Sequence, residues 1–467
     1  MEKWYTKSMY KQNKGMTIEE CLQAADETKE LILKADAAKE IPKVLSAHFN
    51  NAPVSLLIAD TFTYEAIGEK VQSILENENI AVKPYIFPGK PTLHADYDYV
   101  KTIISALSAI PDYKNRIPLA IGGGTINDLV KRAAFELEIP YICVPTASSV
   151  DGYTANGASL LGDGFKQVFP CSAPKAVVAD TEVLAKAPAY LSSSGFGDLV
   201  SKVIAGTDWI IADKASLLKA PGAEALDEKA WSMTQPGLLD VLDKSINAVK
   251  GDKEAIKILF GALAVTGFAM QYFKNSRPVS GAEHAFSHIW EMENLSVDGV
   301  PVTHGHKVAI GTLAATAFTE IFFADSKGPP AIPKSFKRPS KEERETEVSL
   351  AFEGSSAQKS AVATALKKYM EEDQAKKINE LFYDTWKEIR DCIMERLLPY
   401  SELKSLLERG GCPIKPEDIN LVRSKVIATA RKAQMVRVRY GVLDIAWNIG
   451  AFEGILSRME DSAIYLH

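Results

Sequence analysis

The sequence of 467 residues lacks the features of a disulfide-rich or a nucleic-acid-binding protein. Its five cysteines are scattered, and no two of them stand at CxxC spacing, which argues against a disulfide framework and a thiolate zinc cluster. Reduced thiols fit a cytoplasmic protein better. The formal net charge is −6, whereas nucleic-acid-binding domains usually carry a basic surplus. We therefore expect a cytoplasmic protein without a nucleic-acid partner.

Long hydrophobic runs and a leader peptide are also missing. The longest apolar stretch, residues 258–270, is too short to span a bilayer and includes Thr266, so it predicts a buried helix. Residues 1–16 are polar and aromatic with several lysines, and they lack the apolar segment of a signal peptide. The sequence thus predicts no membrane span.

The first half of the sequence alternates strand-like and helix-like segments, as in a parallel sheet covered by helices. Short apolar runs that end in a turn or a polar residue predict buried strands at 54–59, 81–87, 118–121, 141–144 and 176–179. Helical periodicity lies between them at 64–76, 97–110 and 127–137. The pattern indicates a dinucleotide-binding, Rossmann-like α/β domain.

After about residue 188 the strand signals stop and helical spacing dominates. The predicted helices are 199–218, 237–249, 253–273, 304–323, 360–375, 376–398, 415–430 and 443–459. The length favours two domains, so the predicted fold class is an α/β N-terminal Rossmann-like domain followed by an all-α C-terminal domain. The expected boundaries are a helical arm at 1–40, the α/β domain at 41–187 and the helical domain at 188–467, with a surface insertion at 328–340.

A glycine-rich segment at the end of one predicted strand suits a phosphate group. Gly122, Gly123 and Gly124 precede a predicted helix, where glycine lets backbone N–H groups approach an anion at the helix N-terminus. Thr125 and Asn127 add polar groups beside them. The segment does not match GxGxxG, so the ordinary Rossmann fingerprint is absent, and the triplet alone could be a simple turn.

Further polar positions follow two other predicted strands. The segment 145–152, with Thr146, Ser148 and Ser149, follows the next strand, and open α/β sheets bind ligands at the carboxyl ends of strands. It could instead supply an N-cap for the following helix. Asp60 could accept a hydrogen bond from an adenosine ribose and so favour NAD over NADP, or it could be a simple helix cap.

Histidine is rare in this chain, yet four of the seven histidines lie between residues 284 and 306. His284 and His288 are one helical turn apart, and His304 stands near the start of another predicted helix. A single histidine is usually structural, but such a cluster favours a metal or catalytic site. Asp198, in the sequence Gly-Phe-Gly-Asp, is the best candidate for a carboxylate ligand, although it could be only an N-cap.

Five ordered segments together resemble the sn-glycerol-1-phosphate dehydrogenase family: 122–128, 145–152, 195–202, 277–291 and 304–307. This family belongs to the superfamily of iron-type alcohol dehydrogenases, glycerol dehydrogenase and dehydroquinate synthase, so the resemblance implies a dehydroquinate synthase-like fold. The similarity runs from about residue 55 to 444. The bacterial branch is closest, because Thr-Asp-Trp at 207–209 follows the aspartate as it does there.

The resemblance implies a role for each matched residue. Asp198, His284 and His304 would hold one divalent metal, zinc, nickel or iron, in the cleft between the domains. Asp151 and His288 would contact the substrate, and Asp198 would touch it as well as the metal. The cofactor NAD(P) would be bound by Gly123, Gly124, Thr125, Ile126, Asn127, Thr146, Ala147, Ser148 and Ser149. Ala155 stands where family members often have serine, which puts one cofactor contact in doubt.

The implied activity is the interconversion of dihydroxyacetone phosphate and sn-glycerol 1-phosphate. A Lewis-acid metal would stabilise the charge that hydride transfer develops on the C2 oxygen, and the nicotinamide would carry the hydride. His288 would orient the substrate or relay a proton. Arg277 and Lys202 are the candidates for the substrate phosphate, since arginine suits bidentate phosphate binding. Members of this family commonly form homo-oligomers, so the resemblance also implies a homo-oligomer.

Three other functions are weighed against this one. A glycerol dehydrogenase would use the same chemistry on the unphosphorylated polyol. A dehydroquinate-synthase-like lyase would use NAD only transiently and needs extra basic residues near the metal, where Ala285 and Phe286 offer none. A catalytically silent binding protein fits poorly with a complete set of presumptive metal ligands.

Overall fold

The computed structural model describes residues 15–162 and 165–467 of the chain. Two compact units make up this part. The first, here called the sheet unit, consists of Met16–Leu199 and Gly237–Asn275. The second, here called the helical unit, includes Val200–Pro236 and Ser276–His467.

The sheet unit is built on a six-stranded parallel sheet with the strand order β1-β8-β5-β4-β2-β3. Its remaining two strands, β6 and β7, pair as an antiparallel hairpin, and β9 and β10 form a short antiparallel pair in the helical unit. The strands are β1 Glu30–Lys34, β2 Val54–Asp60, β3 Lys83–Phe87, β4 Ile117–Gly122, β5 Ile142–Pro145, β6 Gly157–Gly162, β7 Phe165–Pro170, β8 Ala176–Asp180, β9 Ser296–Val297 and β10 Val300–Pro301.

Helices account for most of the other described residues. The α-helices are α1 Ile18–Ala24, α2 Ile41–Phe49, α3 Thr61–Thr63, α4 Glu69–Asn77, α5 Tyr97–Ser108, α6 Gly124–Glu136, α7 Thr181–Lys186, α8 Ala189–Val200, α9 Lys202–Ser216, α10 Glu228–Thr234, α11 Leu238–Ser245, α12 Lys253–Phe273, α13 Ala282–Met292, α14 His304–Phe322, α15 Lys341–Ala351, α16 Gln358–Lys368, α17 Glu372–Asp384, α18 Trp386–Arg396, α19 Tyr400–Arg409, α20 Arg423–Met435, α21 Val442–Asn448 and α22 Phe452–Asp461. A π-helical turn, Tyr64–Gly68, joins α3 to α4. Short 3-10 turns lie at Ala37–Glu40, Tyr113–Asn115, Asp151–Thr154, Ile246–Lys250, Arg277–Val279 and Pro416–Ile419.

The central strands of the sheet are buried on both faces. Every residue of β4 and β5 is buried, and so is β2 up to its last residue. Because successive side chains of a strand point to opposite faces, this pattern requires cover on both sides and explains the continuous apolar runs. The five predicted strands are confirmed to within two residues, and so is the fold class of an α/β part followed by helices.

Residues 15–40 differ from the expected helical arm, whose first 14 residues lie outside the described part of the chain. They contain α1, but β1 follows and pairs in parallel with β8, from Glu30 opposite Ala176 to Lys34 opposite Asp180. This strand forms one edge of the sheet, so the expected boundary at residue 41 falls inside the sheet unit. The pairing joins distant parts of the chain, and no local pattern in the sequence reveals it.

Helix α12 belongs to the sheet unit although it lies within the expected helical domain. It packs against α1, α11 and the turn Asp151–Thr154, where Thr154 Oγ1 donates to the carbonyl oxygen of Ala264 over 2.8 Å. This packing is why the unit boundary differs from residue 188. By length and composition α12 could cross a membrane, but 72% of its most apolar window is buried inside the protein, as in a core helix.

Several predicted helices of the second half are shorter than expected. The segment 199–218 is divided between α8 and α9, and 360–398 is divided among α16, α17 and α18. Helical periodicity runs through these breaks, so it does not reveal them. The segment 328–340 is irregular and largely exposed.

Candidate metal and cofactor site

The glycine triplet lies at the junction of β4 and α6. Gly123 is the N-cap residue of α6, and apart from its chain neighbours no atom of the described residues lies within 4 Å of the position that a Cβ on it would take. A Cβ on Gly124 would stand 2.9 Å from Val150 Cγ1, so the loop packs closely against the segment after β5. The buried amide of Asn127 accepts a hydrogen bond from Tyr141 Oη over 3.1 Å. The open space at this helix N-terminus suits a phosphate group.

A buried lysine, Lys131 on α6, fixes the end of the segment 145–152. Its Nζ donates to the carbonyl oxygens of Gly152 and Gly157 over 2.7 and 2.9 Å, and it lies 3.2 Å from Asp128 Oδ1. Three polar partners compensate for the burial of its charge. Sequence reasoning missed Lys131, because a lysine on a helix is usually solvated.

The segment 145–152 presents small polar side chains after β5. Thr146, Ala147 and Ser148 are buried, and Ser149 Oγ lies 3.1 Å from the phenol oxygen of Tyr153. The hydroxyl of Ser148 has no hydrogen-bond partner among the described residues. A buried hydroxyl in this state is available to a ligand. Ala155 is buried and offers only a methyl group.

Asp60 ends β2 and caps α3. Its Oδ1 accepts a hydrogen bond from the backbone N–H of Thr63 over 2.9 Å, and its own N–H donates to Thr63 Oγ1 over 3.0 Å. The interpretation of Asp60 as a helix cap is therefore confirmed. Its contact with a ribose stays a prediction.

Asp198 is fully buried within α8, so it is not an N-cap. Its Oδ2 accepts a hydrogen bond from the backbone N–H of Asp151 over 2.9 Å. Gly195 allows this contact, because a Cβ there would lie only 1.9 Å from the carbonyl oxygen of Ser148. The glycine of this motif thus serves close backbone approach.

His284 on α13 and His304 at the start of α14 each have a carboxylate at Nδ1. The distances are 2.7 Å to Glu283 Oε1 and 2.7 Å to Glu291 Oε1. A carboxylate can only accept, so the proton lies on Nδ1 and Nε2 is the atom suited to a metal. The two rings are close neighbours, with centroids 5.4 Å apart.

Glu283 remains ionised despite complete burial. Burial acts to raise its pKa, but the hydrogen bond and charge of His284 and the backbone N–H of Gly281 hold the pKa below its ordinary value. An ionised carboxylate at Nδ1 orients the imidazole and increases the basicity of its other nitrogen.

Asp198, His284 and His304 each bring one potential ligand atom to within 4.8 Å of the others. They are the three residues that the sequence analysis selects. Two imidazole nitrogens and a carboxylate oxygen form the kind of donor set that holds a catalytic divalent cation with one position open to substrate. The carboxylates behind both histidines complete that arrangement, so the residues fit a metal.

His288 lies one turn after His284 on α13, with ring centroids 6.4 Å apart. Burial, and after it the charge of Arg437, hold the pKa of His288 well below its usual range. The ring is therefore neutral at pH 7, with one nitrogen donating and the other accepting. Such a ring can bind or orient a hydroxyl group.

Asp208 binds the N-terminus of α13, the helix that carries His284 and His288. Its Oδ2 accepts a hydrogen bond from the N–H of Ala282 over 2.7 Å, and its Oδ1 accepts one from the N–H of Val442 over 2.8 Å. One carboxylate thus caps α13 and α21 together. The resemblance drew attention to Asp208, but the sequence does not reveal this capping role.

Arg277 and Lys202, the expected phosphate ligands, are both fully buried. Arg277 Nη2 donates to the carbonyl oxygens of Asp208 and Tyr440 over 2.8 and 2.7 Å. Contacts of this kind hold the backbone together, and the phosphate roles of Arg277 and Lys202 stay predictions.

The first half of the chain matches the family described as iron-containing alcohol dehydrogenase, over residues 32–188. Solved structures with the same fold include a probable glycerol dehydrogenase from Sinorhizobium meliloti, at a TM-score of 0.57 and 15% identity over 92% of this chain and 98% of that one. Another is glycerol dehydrogenase from Schizosaccharomyces pombe, at a TM-score of 0.55 and 16% identity over 92% and 90%. At these identities the similarity shows the fold alone.

Curated relatives are more similar in sequence. A glycerol-1-phosphate dehydrogenase [NAD(P)+] from Bacillus velezensis is 34% identical over 60% of this chain and 68% of that protein. Relatives of the same name from Halalkalibacterium halodurans and Pyrococcus horikoshii are 33% and 31% identical, over 62% and 61% of this chain and 70% and 77% of theirs. The chain belongs to the glycerol-1-phosphate dehydrogenase family of iron-type alcohol dehydrogenases.

Proposed function

We propose that this protein is a metal-dependent, NAD(P)-linked oxidoreductase that interconverts dihydroxyacetone phosphate and sn-glycerol 1-phosphate. The observation that carries the proposal is the group formed by Asp198, His284 and His304. Its supporting carboxylates fit a divalent cation, and relatives that are 33–34% identical to this chain over the aligned residues are named glycerol-1-phosphate dehydrogenase [NAD(P)+].

A bound cation would supply Lewis-acid stabilisation of negative charge on the substrate, and a bound nicotinamide would supply or accept the hydride. Asp198, His284 and His304 would hold the cation. Zinc, nickel and iron all suit these donors. Asp198 would also touch the substrate.

His288 orients the substrate or moves a proton at one of its ring nitrogens. Because this ring is neutral at pH 7, it can donate from one nitrogen while the other accepts. Asp151 would contact the substrate beside it. Its backbone is tied to Asp198 by the hydrogen bond described above, which supports placing the two residues at one substrate.

The cofactor would occupy the loops after β4 and β5. The space beside Gly123 and the hydroxyl of Ser148 support this placement. The other proposed contacts are Gly124, Thr125, Ile126, Asn127, Thr146, Ala147 and Ser149. Asp60 at the end of β2 would repel a 2′-phosphate and so favour NAD if it faces the ribose.

The test is a spectrophotometric assay of NADH and NADPH oxidation with dihydroxyacetone phosphate, followed by assignment of the product's stereochemistry. We expect lasting oxidation and sn-glycerol 1-phosphate as the product. A higher kcat/KM with dihydroxyacetone would indicate a glycerol dehydrogenase instead. A cofactor that shows no net change during turnover would indicate a lyase of the dehydroquinate synthase kind.

The role of His288 can be separated from that of the metal ligands. We expect His288→Ala to lower kcat/KM about 100-fold or more, as for a residue in proton transfer or orientation, while the metal content stays unchanged. A variant that loses the metal together with activity would contradict this role.

We also propose that the protein acts in the cytoplasm and as a homo-oligomer. Five buried cysteines without disulfides support a reducing compartment. Size-exclusion chromatography with light scattering would test the assembly, and a monomer at micromolar concentration would contradict it.

A further inference from the structure

Two arginines, Arg437 and Arg439, converge on one short segment of the helical unit. Both lie between α20 and α21. Arg437 donates from Nη1 to Ser280 Oγ over 2.6 Å and from Nη2 to Ser276 Oγ over 3.2 Å. Arg439 donates from Nη2 to the same Ser276 hydroxyl over 3.2 Å and from Nη1 to the carbonyl oxygen of Ser280 over 2.7 Å.

The charges of these two arginines are not neutralised by direct contact. Within the described residues, their hydrogen-bond partners are neutral serine groups, and neither guanidinium forms an ion pair with a carboxylate. The carboxylates of Glu283, Glu224 and Asp208 attract them only from a longer distance. Both side chains are only partly exposed, and two positive charges crowded together in this way are costly, so an anion would lower that cost.

The pKa values agree with this geometry. Burial, together with the nearby charge of Arg277, lowers the pKa of Arg437 to about 10 despite the attraction of the surrounding carboxylates. Burial and the charges of Arg437 and Arg277 hold the pKa of Arg439 well below its usual range.

A small cavity of about 20 Å³ lies beside the two arginines. Gly281, Ala282 and Ala285 line it with small side chains at the start of α13. The other charged lining residues have partners: Lys368 Nζ lies 2.7 Å from Asp444 Oδ1, and Asp208 accepts hydrogen bonds from the backbone N–H groups of Ala282 and Val442. Among the described lining residues, Arg437 and Arg439 are therefore the cationic side chains without an ion pair.

The cavity is next to the residues that we place at the substrate. Ala285 directly follows His284 on α13, and the charge of Arg437 acts on the ring of His288. A small substrate held at His288 would therefore have Arg437 near it. The Arg437 and Arg439 forks match the oxygens of a phosphate group, which accepts paired hydrogen bonds from guanidinium.

We propose that Arg437 and Arg439 bind the phosphate group of the substrate and thereby select the phosphorylated polyol over the free one. This inference rests on the proposed function, whose substrate specificity it explains. Arg277 lies behind them, where it ties the backbone of Asp208 to that of Tyr440. The sequence analysis selected Arg277 for the phosphate, whereas the cavity contains Arg437 and Arg439.

The test compares two substrates across matched variants. We expect Arg437→Ala and Arg439→Ala each to lower kcat/KM for dihydroxyacetone phosphate about 10- to 100-fold, the usual effect of losing a hydrogen bond to a charged group. Turnover of dihydroxyacetone should fall by a clearly smaller factor, since this substrate has no phosphate group to lose a contact. Arg431→Ala is the matched control, because Arg431 is an exposed arginine on α20 that pairs with Glu453.

Two further variants separate binding from folding. Arg437→Lys keeps a charge without the fork and should retain part of the preference for the phosphate. Ser276→Ala removes the hydroxyl that both guanidiniums share but keeps both charges, so a purely structural role would make it as damaging as Arg437→Ala. Equal losses on both substrates in the arginine variants, or an equal loss in Ser276→Ala, would overturn the proposal.

Calorimetric titration with inorganic phosphate distinguishes this inference from the proposed function. Wild-type binding that the double variant Arg437→Ala/Arg439→Ala loses would support the site even if the protein reduced neither ketone. Undiminished phosphate binding by the double variant, or an unchanged KM for dihydroxyacetone phosphate, would overturn the site while leaving the activity in place.

Discussion

At the scale of single residues, Glu283 and Glu291 each orient one of the proposed metal ligands, His284 and His304. Each places a carboxylate 2.7 Å from an imidazole Nδ1 and thereby decides which nitrogen can face a cation. Such partners fix the tautomer and the orientation of the ring. The sequence contains both glutamates within the matched motif, but their function depends on distances that no motif states.

Replacing Glu291 with glutamine should therefore weaken the metal site. We expect Glu291→Gln to lower zinc or nickel affinity about 10- to 100-fold, because a neutral amide orients His304 less firmly. Competition with a chromogenic chelator measures the change. Glu293→Gln is the control, since Glu293 forms a surface ion pair with Lys425 over 2.9 Å, and equal affinities for all three proteins would contradict the role of Glu291.

Asp208 gives the protein a predictable pH dependence. Burial raises its pKa to about 6, partly offset by Arg277 and supported by the charge of Glu283. The folded state thus binds the proton more tightly than the unfolded chain, so this contribution to stability is present below the ordinary pKa and is lost as the pH rises through about 6.

The comparison with Asp208→Asn, which does not titrate, isolates this effect. Between about pH 4 and pH 7 the free energy of unfolding of the wild type should fall by about 2–4 kcal/mol relative to the variant. Urea unfolding at a series of pH values measures the difference. A difference that stays constant with pH would contradict the raised pKa.

At the scale of elements, α8 packs so closely against the loop after β5 that the contact leaves no room for a side chain at Gly195. A methyl group on Gly195 would collide with the carbonyl oxygen of Ser148 at 1.9 Å. Backbone cannot yield as a flexible side chain can, so α8 and the loop would have to separate. Asp198 and its bond to the N–H of Asp151 would move with them.

We expect Gly195→Ala to lower the free energy of unfolding by about 1–3 kcal/mol or more and to reduce metal binding, since overpacking displaces the backbone. Thermal unfolding and metal analysis measure the two effects. Gly123→Ala is the matched control, because its Cβ would meet no atom of the described residues within 4 Å beyond its chain neighbours. This variant should leave the free energy of unfolding nearly unchanged but weaken cofactor binding. Similar stability losses in both variants would contradict this account.

The sequence predicts elements well where a single local signal decides them. The strand at Val54–Asp60 is an apolar run closed by a polar residue, and helix Lys253–Phe273 has uninterrupted periodicity. Strand Glu30–Lys34 was missed because its only evidence is a distant partner, and the hairpin of β6 and β7 carries several glycines and no strong alternation. The helix breaks near Ser201 and Tyr369 were also missed, since apolar spacing continues through them.

The residues of the candidate site could likewise be predicted from the sequence only where a local motif identifies them. Asp198, His284 and His304 could be selected because their motifs occur in a known order, and the structure groups their ligand atoms. Lys131, Arg437 and Arg439 could not, because an isolated basic residue in a sequence is usually a solvated one. Only the folded chain shows that Lys131 is buried and contacts three oxygen atoms. It also shows that both arginines donate a hydrogen bond to the hydroxyl of Ser276.

At the scale of the whole molecule, metal binding would depend on three residues that are far apart in the sequence, Asp198, His284 and His304. Residue-scale contacts orient the imidazoles, and the approach of α8 to its loop positions the carboxylate. Every proposed step, including phosphate selection by Arg437 and Arg439, assumes that this cation is present during turnover.

The most direct measurement is the metal stoichiometry of the purified protein and of Asp198→Ala, His284→Ala and His304→Ala, after chelation and titration with zinc or nickel. We predict one tightly bound ion for the wild type and for the control His94→Ala, whose histidine is exposed, and loss of that ion in each of the other three variants. Undiminished binding of one ion in any of those three variants would contradict the central claim.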